Sequence, residues 1–398
     1  MRLAPVVLCA LAACDQSAPP PEVKFELDPD ATFNVAAEPP PAAVGDLLMI
    51  TNNFDDSVSY VDLGLVPPAE IARVPVGFNP VEREGPHHLS LSHDQQSVWV
   101  GISNFVPNSG SGPHGSHGAG TADGHALQIR VADGVQIADV RVDRNPGDIR
   151  MSPDGSKLLM SHFDLLRVTS ATPTTPIEDL NSRLAIIDPA TATRLAMVSI
   201  CPAAHGIAIA PDSKTAYVAC YDDRIAIVDL ETYAAHTVNV LPIPGTIANP
   251  ACQPYALTIS PDGATVWVGC FISGELRAYD TASDSMIAGR SVDLGSAALF
   301  GSYLDADTLV VPSQGPDKLW WIDAATGDVK ASLAFDVAQC DRPHVVRPAS
   351  DGQRLAVVCE GDRVTPGTLV IVDRTSKLVT DVVPVGRFPD DIALRPKP

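Results

Sequence analysis

Asp148-Ile149-Arg150-Met151-Ser152-Pro153-Asp154-Gly155, with the apolar run Leu158-Leu159-Met160 behind it, decides how the rest of the chain is read. A short β-prone run enters a tight turn in which Pro presets φ while Asp and Gly supply the remaining conformations. A second apolar run then leaves it, as in a hairpin. The turn recurs at Ala210-Pro211-Asp212-Ser213 and Ser260-Pro261-Asp262-Gly263, with looser copies at Ser92-His93-Asp94-Gln95 and Ser350-Asp351-Gly352. The run after it recurs as Val98-Trp99-Val100, Tyr217-Val218-Ala219, Val266-Trp267-Val268 and Leu355-Ala356-Val357. A third run closes on Asp with Thr or Ser three residues later: Asp229 with Thr232, Asp323 with Thr326, Asp373 with Ser376.

A unit of this kind returning every 40 to 60 residues or so is a four-stranded antiparallel blade, and a tandem array of such blades is a β-propeller. First strands begin near Pro86, Pro146, Ala204, Pro254, Ser296 and Pro343, and a last one at Pro389 has no strands after it. Near the start, Leu47-Leu48-Met49-Ile50-Thr51 and Val58-Ser59-Tyr60-Val61-Asp62 form a blade that lacks its first strand. Joining the two ends completes seven blades and removes the open sheet edges. The expected fold is an all-β, seven-bladed propeller closed by its C-terminal strand.

The Ser-Pro-Asp-Gly turn, the Tyr-Val or Trp-Val second strand and the strand ending in Ile or Val then Asp resemble the YVTN-repeat β-propellers, a mostly bacterial and archaeal family of exported proteins. The resemblance runs from about Gly45 to Pro396. Its closing Thr-Asn is kept at Thr51-Asn52 and replaced by Ala219-Cys220 and Gly269-Cys270. These motifs are structural, so the resemblance implies a fold and leaves function open.

Met1-Arg2, the apolar stretch from Leu3 and the small residues before Cys14 read as an export signal over residues 1–13. Leu11-Ala12-Ala13-Cys14 resembles the lipobox of bacterial lipoproteins, which implies Cys14 as the lipidated residue; an ordinary secretory signal is the alternative. Residues 14–44, with Pro19-Pro20-Pro21 and Pro39-Pro40-Pro41, read as an extended tether, and residues 45–398 as the propeller. The chain is therefore expected in the cell envelope, lipid-anchored on the periplasmic or outer surface and touching membrane only through that anchor. Its 398 residues are 45% hydrophobic, enough for a large core, and its net charge of −21 repels phosphate backbones. Nucleic acid is excluded as a partner. An envelope protein, a polysaccharide or a small ligand is expected instead, bound by a monomer.

Six cysteines beyond Cys9 and Cys14 fall into three couples, Cys201 with Cys220, Cys252 with Cys270 and Cys340 with Cys359, each straddling one Pro-Asp-type turn. Residues equidistant from a hairpin turn face each other, so three disulfides within single blades are predicted, each worth about 3 kcal/mol by chain entropy. Thiolate metal ligation is the competing reading, because His205 and His344 follow Cys201 and Cys340 at four residues' distance.

Loops entering the first strands line the mouth of a propeller's channel. Registered on the turns, His87, Gly147, His205, Tyr255, His344 and Asp390 share one position, His88, Asp148 and Asp391 the next, and Ala297 approximates the entry from the sixth blade. Imidazoles and carboxylates converging there suit Zn, Cu or Fe, or else they satisfy loop groups and water in a wet channel. His162 points either to that mouth or to a surface loop. The Gly-rich insertion at 107–123 carries His114 and His117, with His125 just beyond, and reads as a flexible loop or a metal-binding flap. There is no phosphate loop, haem-attachment motif or nucleophile elbow. Two functions remain: a binding or interaction scaffold, or a metal- or cofactor-dependent envelope enzyme or electron-transfer partner of oxidoreductase or lactonase class, with no catalytic residue assignable.

Overall fold

The computed structural model describes residues 39–78, 83–103, 122–172 and 174–397. The predicted signal, Cys14, most of the tether, and His114 and His117 of the insertion lie outside the described residues. Seven antiparallel sheets form a closed ring. Going round it, the innermost strands are Pro389–Arg395 of blade one, Pro86–Leu91 of blade two, Pro146–Met151 of blade three, Ile207–Ile209 of blade four and Pro254–Ile259 of blade five. Blade six presents two short pieces, Ala297–Ala298 and Ser302–Asp305, and blade seven Pro343–Pro348.

Blade one is built from both ends of the domain. Leu47–Asn52 pairs with Ser57–Asp62 on one side and with Pro389–Arg395 on the other, with Leu48 opposite Leu394 and Ile50 opposite Ile392. The predicted closure holds. Apolar residues fill the faces between blades; Trp99 and Trp267, on second strands, are both buried.

The recurring turn is a small hydrogen-bonded device. Ser152 Oγ donates to Asp154 Oδ1 at 2.6 Å, the same oxygen accepts from Ser156 N at 3.0 Å, and Lys157 N donates back to Ser152 Oγ at 2.9 Å. Ser92 with Asp94 and Ser260 with Asp262 repeat it. The residue after Asp is left-handed in every copy, Gly155 at φ 72° and Gly263 at φ 75°, which is why glycine recurs there.

All three predicted disulfides are present, which removes the thiolate reading at Cys201 and Cys340. One detail of the prediction is corrected. Cys201 lies on Thr193–Pro202, the outermost strand of blade three, whereas Cys220 follows the second strand of blade four. That outer strand runs long and still pairs Cys201 with Ser182 in blade three before the chain turns to the axis, so this staple joins two blades; the other two each tie an entry segment to its own second strand.

Candidate functional site

The inner strands begin at the axis, and the residues expected there converge. His87, His88, Asp148, His205, Tyr255, His344, Asp390 and Asp391 are all buried. Ring centroids of His87 and His205 are 5.3 Å apart, those of His88 and His205 5.3 Å, and those of His88 and His344 5.9 Å. His205 stacks on Tyr255 at 3.9 Å, with its Nε2 2.9 Å from the tyrosine hydroxyl.

Two carboxylates organise this core. Asp390 places one oxygen 2.7 Å from Nε2 of His87 and the other 2.6 Å from Nδ1 of His344. Burial opposes charge on both partners, yet Asp390 raises His344 to about 9, and His87 and His344 hold Asp390 well below the usual carboxylate range. Asp391 lies 3.0 Å from Nδ1 of His88, 2.8 Å from Arg150 and 3.3 Å from Arg347. Despite burial, Arg150 holds Asp391 well below the usual carboxylate range, whereas burial and the neighbouring His87 push His88 below its ordinary value. Burial, with Asp390 and Glu360, pushes the Tyr255 hydroxyl far up.

A pair of hydroxyls ties adjoining blades together, and sequence reasoning missed both. Thr51 Oγ1 accepts from Asp391 N and donates to the carbonyl of His87 in the next blade. Ser161 Oγ accepts from Asp148 N at 2.9 Å and donates to the carbonyl of His205 at 2.5 Å. Asp391 and Asp148 repeat the parallel: each caps the following backbone N–H, at Ile392 and Ile149, and reaches the next blade, at Leu89 N and Ile207 N. The signal was the Thr-Asn closing motif, whose hydroxyl survives as Ser161.

Blade six departs from its expected register. Ala297 pairs with Gln314 in the sheet, and Phe300, after a break in the inner strand, is the residue packed on the axial rings, 4.8 Å from His88 and 5.5 Å from His344. His162 is neither at the mouth nor on the surface. It is buried within blade three, its Nδ1 2.5 Å from the carbonyl of Arg183. His125 starts the third strand of blade two and meets Asp139 at 2.8 Å, on an outer strand of that blade.

At the C-terminal ends of the inner strands a funnel of about 350 Å³ opens on the axis. Its lining includes Phe300, Arg150 and Arg347, with Ile207, Leu257 and Tyr303 among the walls. The Arg150 and Arg347 side chains are 18% and 22% exposed.

These features define a seven-bladed β-propeller with a charged, imidazole-rich axis. No family model matches the chain. Protein groucho of Drosophila melanogaster is 32% identical over 149 residues, 36% of this chain and 17% of that protein's length. Among solved structures, the periplasmic gluconolactonase of Pseudomonas aeruginosa superposes with a TM-score of 0.63 at 16% identity, over 89% of this chain and all of that one. Hydrazine synthase of Kuenenia stuttgartiensis gives 0.59 at 16% identity over 79% and 96%, and a dihydro-heme d1 dehydrogenase 0.56 at 14% over 90% and 77%. At such identities the likeness is one of fold.

Proposed function

We propose that the chain is an envelope-tethered binding propeller whose axial funnel takes a small organic anion such as a carboxylate. The observation that carries this reading is Arg347 beside Arg150 at the funnel. Burial and the neighbouring Arg150 guanidinium pull Arg347 below the usual arginine value, although Asp391 pulls the other way. Arg347 shares its carboxylate partner, Asp391, with Arg150 and His88, and an anion in the funnel would add charge-assisted hydrogen bonds to it. Phe300 and Leu257 give the ligand's carbon skeleton an apolar wall.

Titration calorimetry with acetate, citrate and gluconate tests it. At least one should bind, and Arg347→Gln should weaken that binding at least tenfold, about 1.4 kcal/mol. Absence of binding by all three, or equal affinity in the variant, would refute the reading. The tether rests on the Leu11-Ala12-Ala13-Cys14 tetrad; an alkyne fatty acid fed to the host should label the chain, and Cys14→Ser should abolish the label. A catalytic alternative, of the lactonase or oxidoreductase kind named for the structural neighbours, has the axial imidazoles in its favour, and turnover of glucono-lactone lost on His87→Gln would establish it.

A further inference from the structure

We infer that His87, His88 and His205 form a buried three-imidazole site for a first-row transition-metal ion of the nitrogen-preferring class, zinc or copper. One ligating nitrogen from each of the three lies within 4.8 Å of the others, and all three side chains are buried. An ion bound at about 2.0–2.1 Å in tetrahedral geometry needs its nitrogens about 3.4 Å apart, so the rings must close by no more than about 1.5 Å.

The surroundings are those of metal-binding histidines. Such residues almost always engage their second ring nitrogen with a carboxylate, carbonyl or water, which fixes tautomer and orientation. Here Asp390 lies 2.7 Å from Nε2 of His87 and Asp391 3.0 Å from Nδ1 of His88, and a hydroxyl, that of Tyr255, lies 2.9 Å from Nε2 of His205; the remaining nitrogen of His87, Nδ1, is 3.4 Å from the Pro146 carbonyl, a long contact that an ion would replace. With Nδ1 of His88 turned to Asp391, its Nε2 is buried and has no hydrogen-bond partner among the described residues. A buried polar atom left in that state is costly, and ligation would remove the penalty. Phe163 and Phe300 pack on the cluster, 5.0 Å from His205 and 4.8 Å from His88, giving it an apolar shell.

Two neighbouring sets are less suited. His88, Asp148 and Asp391 also lie close together, but their carboxylates already serve Arg150, Arg347 and backbone N–H groups. His344 is held to Asp390 in a charge-assisted contact and at neutral pH carries the proton a ligand would have to lose.

Full-length protein made without an affinity tag should hold close to one equivalent of zinc or copper by plasma mass spectrometry, or take one up when dialysed against either ion. His88→Gln should reduce retention to background, whereas His236→Gln, on the outer strand Ala235–Asn239, should keep it. Copper-loaded wild-type protein should show nitrogen hyperfine structure from three imidazoles by electron paramagnetic resonance, a readout that does not depend on any variant folding. A wild-type chain that neither retains nor takes up either ion, a folded His88→Gln variant with full metal content, or a copper spectrum without multiple imidazoles would each overturn the assignment. None of these outcomes bears on anion binding in the funnel, which stands or falls separately.

Discussion

Asp391 shows how much one side chain can carry at the axis. Its carboxylate faces His88, Arg150 and Arg347 and caps its own strand at Ile392 N. Removing one member of a buried charge network strands the rest, at about 3–5 kcal/mol. Asp391→Asn keeps the shape and deletes the charge, so urea unfolding should show a loss in that range, and a loss under about 1 kcal/mol would mean that the guanidiniums are compensated elsewhere. The axial residues His87, His205, Tyr255, His344 and Asp390 were legible because each blade repeats one register from its turn, and residues in register must meet at the axis. Phe300 was illegible for the same reason inverted: the inner strand of blade six breaks between Ala298 and Ser302, so counting from its neighbours lands on Ala297. Thr51 and Ser161 were missed because the Thr-Asn closing motif marks a hydroxyl at a strand end but not the carbonyl, His87 O or His205 O, that the adjoining blade brings to it.

At the scale of the element, the Ser-Pro-Asp turn explains both the repeat and its electrostatics. Asp154 is drawn down to about 2, first by the Ser152 hydroxyl and, against slight burial, by Ser156, while Asp323 reaches about 2 through Thr326 N–H and Lys330. A carboxyl whose folded value is depressed contributes stability that is complete above its ordinary value near 4 and is lost as pH falls towards 2. Both groups are exposed, so each contribution is small and is best read directly. In carboxyl carbon NMR titrations, Ser152→Ala should move Asp154 up towards 3.8 and leave Asp323 where it was. An unmoved Asp154 would show that the backbone donors, and not the serine, set its acidity. The disulfides belong to this scale as well. Pairing could be read from turn spacing, but the blade boundary between Cys201 and Cys220 could not, because it depends on how far the outer strand Thr193–Pro202 runs before leaving its sheet.

Closure is the property of the whole molecule on which the site depends. Blade one is complete and the ring closed only while Pro389–Arg395 lies against Leu47–Asn52, and that same strand delivers Asp390 and Asp391 to the axis. The seam is reinforced next to the strand by Asn53 N to Phe388 O at 2.9 Å, Gly386 N to Asn52 Oδ1 at 2.9 Å, and Arg387 Nε to Asp55 at 2.6 Å. Deleting residues 389–398 should therefore remove the ring's last contact and both organising carboxylates at once. We expect the truncated chain to keep much of its far-ultraviolet β signal, because six blades retain all their strands, but to lose the sharp cooperative transition and near-ultraviolet signal of the intact ring. A synthetic peptide covering 386–397 should restore both by adding as a strand to the exposed edge. The same peptide with Asn at 390 and 391 should restore them less, since it pairs along the backbone but leaves His344 and Arg347 without their counter-charges and Arg150 with Asp148 alone. Equal rescue by the two peptides would assign closure to strand pairing alone; a truncated chain that unfolds like the wild type would show that the ring does not need this strand.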